Sequence, residues 1–71
     1  MRPLAAVKFQ EFVERERTRQ NLTRQELADK ARVSIGVVSG LETGRNSPSM
    51  DNIIRVIEAL GCRLAIVRNL T

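Results

Sequence analysis

Residues 23–42, TRQELADKARVSIGVVSGLE, carry the start and stop signals of two short helices. Thr23 and Glu26 have the spacing of a capping box. In this motif the Thr hydroxyl accepts from the Glu backbone N–H, while the Glu carboxylate accepts from the Thr backbone N–H. The capping box is followed by three apolar residues at helical spacing, Leu27, Ala28 and Ala31. The pattern predicts a helix over residues 24–31.

A second helix is predicted after a tight connection made by Arg32 and Val33. Ser34 can cap a helix over residues 35–42, and Gly44 is typical of the position just past a helix end. Two short helices joined in this way form a helix-turn-helix arrangement, whose second helix enters the DNA major groove in many DNA-binding proteins. Helical hairpins also occur in ordinary bundles, so the arrangement alone is only moderately specific for DNA binding.

The flanking residues predict two further helices. Pro3 suits the first turn of a helix over residues 4–19, with an apolar face formed by Ala5, Phe9, Phe12 and Val13. Asn21 is suited to a left-handed stop after it. Ser49 can cap a fourth helix over residues 50–60, and Gly61 fits the left-handed position beyond its end.

The last ten residues, 62–71, no longer show the helical spacing of apolar residues. Residues 62–68, CRLAIVR, are mostly apolar or β-branched and predict a short strand. A strand that is apolar on both faces needs neighbours, yet residues 1–61 predict no second strand. We therefore expect it to pair with the same strand of a second protomer around a two-fold axis. A frayed tail or a short fifth helix is the alternative. The predicted dimer contacts are Cys62, Leu64, Ala65, Ile66, Val67 and Leu70.

Composition narrows the chemistry of this 71-residue chain, which has room for one domain only. There is no histidine and only one cysteine, so a zinc site, a disulfide and a His-based catalytic pair are all disfavoured. We expect no enzyme activity, no cofactor and no metal. The absence of a long apolar run or a signal-type N-terminus favours a cytoplasmic protein without membrane association.

The charge favours a polyanion as partner. The net charge is +4 and the pI is about 10.6, with ten of the twelve basic residues being arginine. Arginine binds phosphate bidentately, and a small basic domain most often meets nucleic acid. Plain solubility is the alternative explanation of the charge.

The sequence also resembles a known family. The segments that carry the resemblance are NLTRQELA (21–28), VS (33–34), VSGLETGRNSPS (38–49) and ALG (59–61). At this spacing they resemble the Xre/Cro-type, lambda-repressor-like helix-turn-helix family over residues 9–61. The resemblance implies a mainly α, compact four-helix domain, which we assign to residues 1–61; the pattern of the tail adds residues 62–71 as a C-terminal dimerisation strand. It also implies that the third helix lies in the DNA major groove.

The resemblance implies roles for individual residues. Arg17 and Glu42 match a structural ion pair between the first helix and the end of the third. Arg24 stands where the family usually has a glutamine that binds phosphate and braces the recognition helix. An arginine at this position can still bind phosphate, but the sequence does not decide whether it also braces the recognition helix. Ser34 is the helix cap and a phosphate donor, and Arg45 and Asn46 lie in the loop that follows the DNA backbone. Gln25 is also predicted to contact DNA.

Helical spacing predicts the base-facing side of the third helix. The predicted exposed face consists of Ile35, Gly36, Ser39 and Gly40, with Val37 and Thr43 at its margins and with Val38 and Leu41 turned into the core. Only Ser39 and Thr43 can hydrogen-bond to bases through side chains, whereas Ile35 and Val37 can contact thymine methyl groups. Two glycines on this face would allow the helix to approach DNA closely. A face that meets another protein is the alternative.

Three functions remain open from the sequence. The first is a homodimeric transcriptional repressor on a palindromic operator. The second is an antitoxin that binds a toxin protein and represses its own operon, because a helix-turn-helix core with a short apolar dimer strand is similar to HipB-type antitoxins. The third is a controller protein of a restriction-modification locus, whose core looks much the same.

Overall fold

The computed structural model describes residues 9–45, 47–65 and 67–68. In this part of the chain there are four helices: α1 (Phe9–Arg19), α2 (Arg24–Ala31), α3 (Ile35–Thr43) and α4 (Met50–Ala59). The mainly α, four-helix prediction is confirmed. The start of the first helix, predicted over residues 4–8, lies outside the described residues. No described helix has the length and apolar character needed to cross a membrane.

The helix starts are set by the predicted caps. Thr23 Oγ1 accepts from Glu26 N at 3.0 Å, and Thr23 N donates to the Glu26 carboxylate at 2.8 Å, which completes the capping box of α2. Ser34 Oγ accepts from the Val37 backbone N–H at 3.3 Å at the start of α3. Ser49 caps α4 in the same way. Each cap satisfies a backbone donor that lacks a partner within the helix.

Left-handed residues end the helices. Asn21, Gly44 and Gly61 adopt φ values of 58°, 73° and 79°, as predicted. Arg32 also has a positive φ, of 61°, at the C-cap of α2, which the sequence did not indicate. Its backbone N–H donates to Asp29 O at 3.2 Å, so the hydrogen bond holds arginine in a conformation that side chains rarely adopt.

The core lies where the four helices meet. The largest fully buried side chains form its centre and come one from each helix: Val13, Leu27, Val38 and Val56. Phe9, Phe12 and Ile53 are half-buried and pack against this centre. The end of α1 is tied to the end of α4, because Gln20 Nε2 donates to Leu60 O at 2.7 Å. The helix-turn-helix pair, α2 and α3, packs against both α1 and α4.

The tail has no regular secondary structure in this single chain over residues 62–65 and 67–68. Leu64 and Val67 are exposed, with 42% and 85% of their surface accessible. Two of the predicted dimer contacts, Ile66 and Leu70, lie outside the described residues. The predicted strand needs a second protomer to complete its ladder, so strand and dimer remain predictions.

Candidate nucleic-acid interface

The first turn of α3 has few side chains on its outer side. Ile35 is 45% exposed and Gly36 is exposed, while Ser39 and Val37 are half-buried. A Cβ built on Gly36 would meet only Ser34 Oγ, at an ordinary contact distance of 3.7 Å. Val38 and Leu41 face the core, as predicted. This turn therefore presents the Ile35 side chain and the backbone at Gly36 to solvent.

The prediction that Gly40 is exposed is wrong, because Gly40 is buried. Gly40 lines a recess shared with Phe9 and Gln10 of α1 and with Pro48 of the loop after α3. Packing of α1 and this loop against the second half of α3 covers the position.

Two hydroxyl groups remain on the outer side of α3. Thr43 is exposed, and its Oγ1 donates to Ser39 O at 2.8 Å, so its proton is already engaged while its oxygen can still accept. Ser39 Oγ forms no hydrogen bond with any residue that the structure describes. Ser39 is therefore the side chain on this face best able to donate to a base.

The other predicted contacts lie at the helix ends. Ser34 is exposed at the start of α3, and Arg45 is exposed directly after its end. The Gln25 side chain is exposed but its amide donates to Asp29 Oδ1 at 2.9 Å, within α2. Asn46 lies outside the described residues.

A three-residue ion cluster joins α1, α2 and α3. Arg17 Nε donates to Glu42 Oε2 at 2.6 Å and Arg17 Nη2 donates to Oε1 at 3.0 Å, which forms the ion pair that the family resemblance implied. Arg17 Nη1 also donates to Leu22 O at 2.8 Å. Arg24 Nε donates to Glu42 Oε1 at 3.0 Å. The first residue of α2 thus braces the last turn of α3 by an ion pair, a role that the sequence left open.

Burial and charge together determine the protonation of this cluster. The Glu42 side chain is fully shielded from solvent, whereas the Arg17 and Arg24 side chains are 15% and 39% exposed. Burial alone would raise the pKa of Glu42, but hydrogen bonds and charge from the two arginines outweigh it and hold the pKa below its ordinary value. The same hydrogen bonds raise the pKa of Arg17. Both shifts favour the ionised forms of Arg17 and Glu42 near neutral pH.

Comparisons with known proteins agree with this geometry. A family model described as Helix-turn-helix matches residues 13–67. The transcriptional regulator ClgR from two strains of Mycobacterium tuberculosis, CDC 1551 / Oshkosh and H37Rv, is 39% identical over 51 residues, which are 72% of this chain. The chain spans only 46% of the length of these curated relatives.

Two solved structures share the fold. The clp gene regulator ClgR from Corynebacterium glutamicum superposes with a TM-score of 0.70 at 34% identity, over 86% of this chain and 65% of that one. A toxin-antitoxin module from Streptococcus pneumoniae superposes with a TM-score of 0.68 at 27% identity, over 83% of this chain and 69% of the other.

Proposed function

We propose that this chain, which belongs to the helix-turn-helix family, binds double-stranded DNA as a homodimer and represses transcription. The observation that carries the proposal is the open first turn of α3, held on a scaffold by the caps of α2 and α3 and by the Glu42 cluster. A rigid exposed helix of this kind fits the major groove of DNA. The similarity to ClgR, a transcriptional regulator, supports the regulatory role.

The composition of α3 supports a particular way of reading DNA. Ile35 can contact thymine methyl groups, and Ser39 can hydrogen-bond to a base edge. Gly36 leaves room for the α3 backbone to lie close to the base pairs. Ser34, Arg24 and the loop containing Arg45 would contact phosphates, which set the position of α3 without reading sequence.

The homodimer rests on the tail. Leu64 and Val67 expose apolar surface that none of the described residues covers. Pairing of residues 62–70 with a second copy would bury these side chains and complete the strand ladder. Such a dimer would present two α3 helices to half-sites spaced about one DNA turn apart, on a palindromic operator.

The DNA proposal is tested with a binding site selected from random DNA by the wild-type protein. Affinity should fall steeply as salt rises, because arginine–phosphate contacts release counterions. Arg45→Ala should weaken binding to all sequences alike, whereas Ile35→Ala and Ser39→Ala should change the sequence preference. Affinity that is independent of salt would refute DNA binding. Unchanged preference in both α3 variants would show that α3 is not the reading helix.

The dimer is tested by light scattering of the full chain at micromolar concentration. Val67→Asp should yield monomers, because it would place a charge in an interface formed by apolar side chains. Val67→Thr, which keeps the β-branched shape, is the matched control and should remain dimeric. A Val67→Asp variant that stays dimeric would place the interface elsewhere.

An antitoxin is the second candidate, and the similarity to the Streptococcus pneumoniae toxin-antitoxin module favours it. This function shares the DNA-binding surface and adds a toxin protein that binds outside α3. A stable complex between this chain and the purified product of a neighbouring gene would support it. Binding that competes with DNA for α3 would contradict the proposed arrangement.

A further inference from the structure

A recess lies between the end of α2 and the second half of α4, and we call it the α2–α4 recess. It has a volume of about 510 Å³, and its lining residues are Lys30, Ala31, Arg32, Arg55, Glu58 and Ala59. Ala31 is buried and Ala59 is half-buried, so two short side chains form its floor. The four charged residues around them are exposed. No residue of α3 lines the recess, so this surface is separate from the proposed DNA-reading turn.

Positive charge dominates the α2–α4 recess. Lys30, Arg32 and Arg55 carry one positive charge each, and Glu58 is the one acidic residue among the described lining residues. The ion pairs among the described residues lie elsewhere and include none of these four side chains. Two units of positive charge therefore remain uncompensated within the recess, where they can attract an anion.

Arg55 reaches from α4 to the end of α2. Its Nη1 donates to Arg32 O at 3.4 Å, beyond the last turn of α2, where backbone carbonyls lack partners within the helix. A guanidinium group has five N–H donors, and no described residue accepts from Nε or Nη2 of Arg55. The side chain is therefore held beside Arg32 by one long hydrogen bond and keeps donors for a carboxylate.

Arg32 stands at a position that favours another residue type. Its φ is 61°, in the left-handed region where glycine and asparagine are common and arginine is unfavourable. The backbone N–H of Arg32 closes α2 by donating to Ala28 O and Asp29 O, which a glycine could do equally well. The fold therefore gives no reason for an arginine here, whereas an anion-binding recess does.

The lining favours a chain of carboxylates over a small molecule. The volume is within the range of ligand pockets, about 300–1,000 Å³, but such pockets are mostly apolar, whereas the apolar lining here consists of two alanines. Single exposed ion pairs are weak, so useful affinity needs several charges that bind together. An acidic stretch of a protein supplies several carboxylates at neighbouring positions and can pair with all three cations.

The recess lies on a different face of α2 from the proposed DNA contacts. Lys30 follows Arg24, a proposed phosphate ligand, by six residues, which places it about 9 Å further along α2 and about 120° around the helix axis. DNA bound at Arg24 and at the first turn of α3 would therefore leave the α2–α4 recess open to a second partner.

We propose that the α2–α4 recess binds an acidic segment of a second protein. The carboxylates of this segment pair with Lys30, Arg32 and Arg55, while Glu58 repels them and limits the affinity. The site goes beyond the proposed DNA-binding function and does not depend on it, because it shares no residue with the proposed DNA-binding surface. The protein can therefore bind DNA and such a partner together.

A short glutamate peptide is the probe, and a glutamine peptide of the same length is its control. Both are titrated into the full chain at low salt, with affinity measured by fluorescence anisotropy and the binding site located by amide shifts in NMR spectra. The glutamate peptide should bind and shift the amides of residues 30–32 and 55–59, and the glutamine peptide should not. Inorganic phosphate at the same ionic strength should bind more weakly, because a single anion lacks the linked charges of the peptide.

Two pairs of variants separate the recess from overall charge. Arg55→Gln should weaken peptide binding about two- to fivefold, the value of one exposed ion pair, whereas Arg15→Gln, which removes an exposed arginine of α1, should have little effect. Glu58→Gln should strengthen binding by a similar factor, because it removes the repulsion within the recess. Glu11→Gln, at an exposed position of α1, is its matched control.

Arg32→Gly gives a third readout. Glycine relieves the positive φ, so the melting temperature should rise, while loss of the arginine side chain should weaken peptide binding. An arginine with a structural role alone would not separate these two effects.

Other results would overturn the inference. Absent binding of the glutamate peptide, or equal binding of the glutamine peptide, would show that the recess does not recognise carboxylates. Equal losses in Arg55→Gln and Arg15→Gln would reduce the effect to overall charge, and phosphate that binds as tightly as the peptide would make the recess a simple anion site. A loss of affinity for the selected DNA in Arg55→Gln, beyond that in Arg15→Gln, would place the recess within the DNA interface. Failure of the wild-type protein to bind DNA would refute the proposed function and leave the peptide result standing.

Discussion

Gly36→Ala should stabilise the protein and weaken its binding to DNA. Gly36 lies in the first turn of α3, and an added Cβ would meet only Ser34 Oγ at 3.7 Å. Replacing a helical glycine with alanine in open space removes backbone freedom from the unfolded chain and gains about 0.5–1 kcal/mol. For a domain of this size, that gain corresponds to a rise in Tm of about 2–8 °C.

The effect on DNA binding has the opposite sign. If the α3 backbone lies close to the base pairs, an added methyl group overpacks a tight contact, at a cost of about 1–3 kcal/mol. This cost corresponds to a loss of about five- to 150-fold in affinity. The loss should be larger on the selected site than on scrambled DNA, where electrostatic binding does not require close approach.

Two assays on the same protein test this reasoning. Circular dichroism gives the melting temperature, and fluorescence anisotropy at fixed salt gives the affinity for each DNA. A more stable variant with unchanged affinity would refute the close approach of α3 to DNA. A less stable variant would show that the space around Gly36 is smaller than the structure indicates.

Three further predictions concern the scaffold. The pKa of Glu42 is lowered in the folded state, so ionised Glu42 stabilises the fold above its ordinary pKa near 4.3, and this stabilisation is lost as pH falls through the lowered pKa. Tm measured from pH 7 to 3 should show this loss. In Glu42→Gln this contribution to the pH dependence of Tm should be absent. Gly61→Ala should destabilise by about 1–2 kcal/mol in urea unfolding despite open space, because φ is +79°, and unchanged stability would contradict a left-handed end of α4. Thr23→Ala should cost about 1 kcal/mol by the same assay through loss of the α2 cap, while Thr18→Ala, whose hydroxyl donates to Glu14 O within α1, is the control expected to cost less.

Local signals predicted the helices well. The caps Thr23, Ser34 and Ser49 each act within three residues, and the left-handed stops act at one position. Such features depend on sequence neighbours alone, so the sequence reveals them. Arg32 was missed because neither glycine nor asparagine, the residues that usually indicate a left-handed φ, stands at this position.

Non-local features were harder to predict. Gly40 was assigned to the exposed face by helical spacing, but α1 and the loop after α3 cover it. The contact between Arg24 and Glu42 joins residues 18 positions apart. No periodic pattern indicates such a pair, because it depends on the angle and distance at which α2 packs on α3.

The short side chains of α3 and the ion cluster at its end both concern how accurately α3 must be positioned for its side chains to reach a base. A long arginine or glutamine on a recognition helix can adjust its rotamer to reach a base when the helix is slightly displaced. Gly36 cannot adjust at all, and Ser39 reaches only a short distance from the backbone. Reading through such residues therefore depends on where the backbone of α3 is held. In this chain Glu42 anchors the last turn of α3. Its carboxylate is shielded from solvent and forms ion pairs with two arginines. It follows that sequence preference should be sensitive to residues that contact no base.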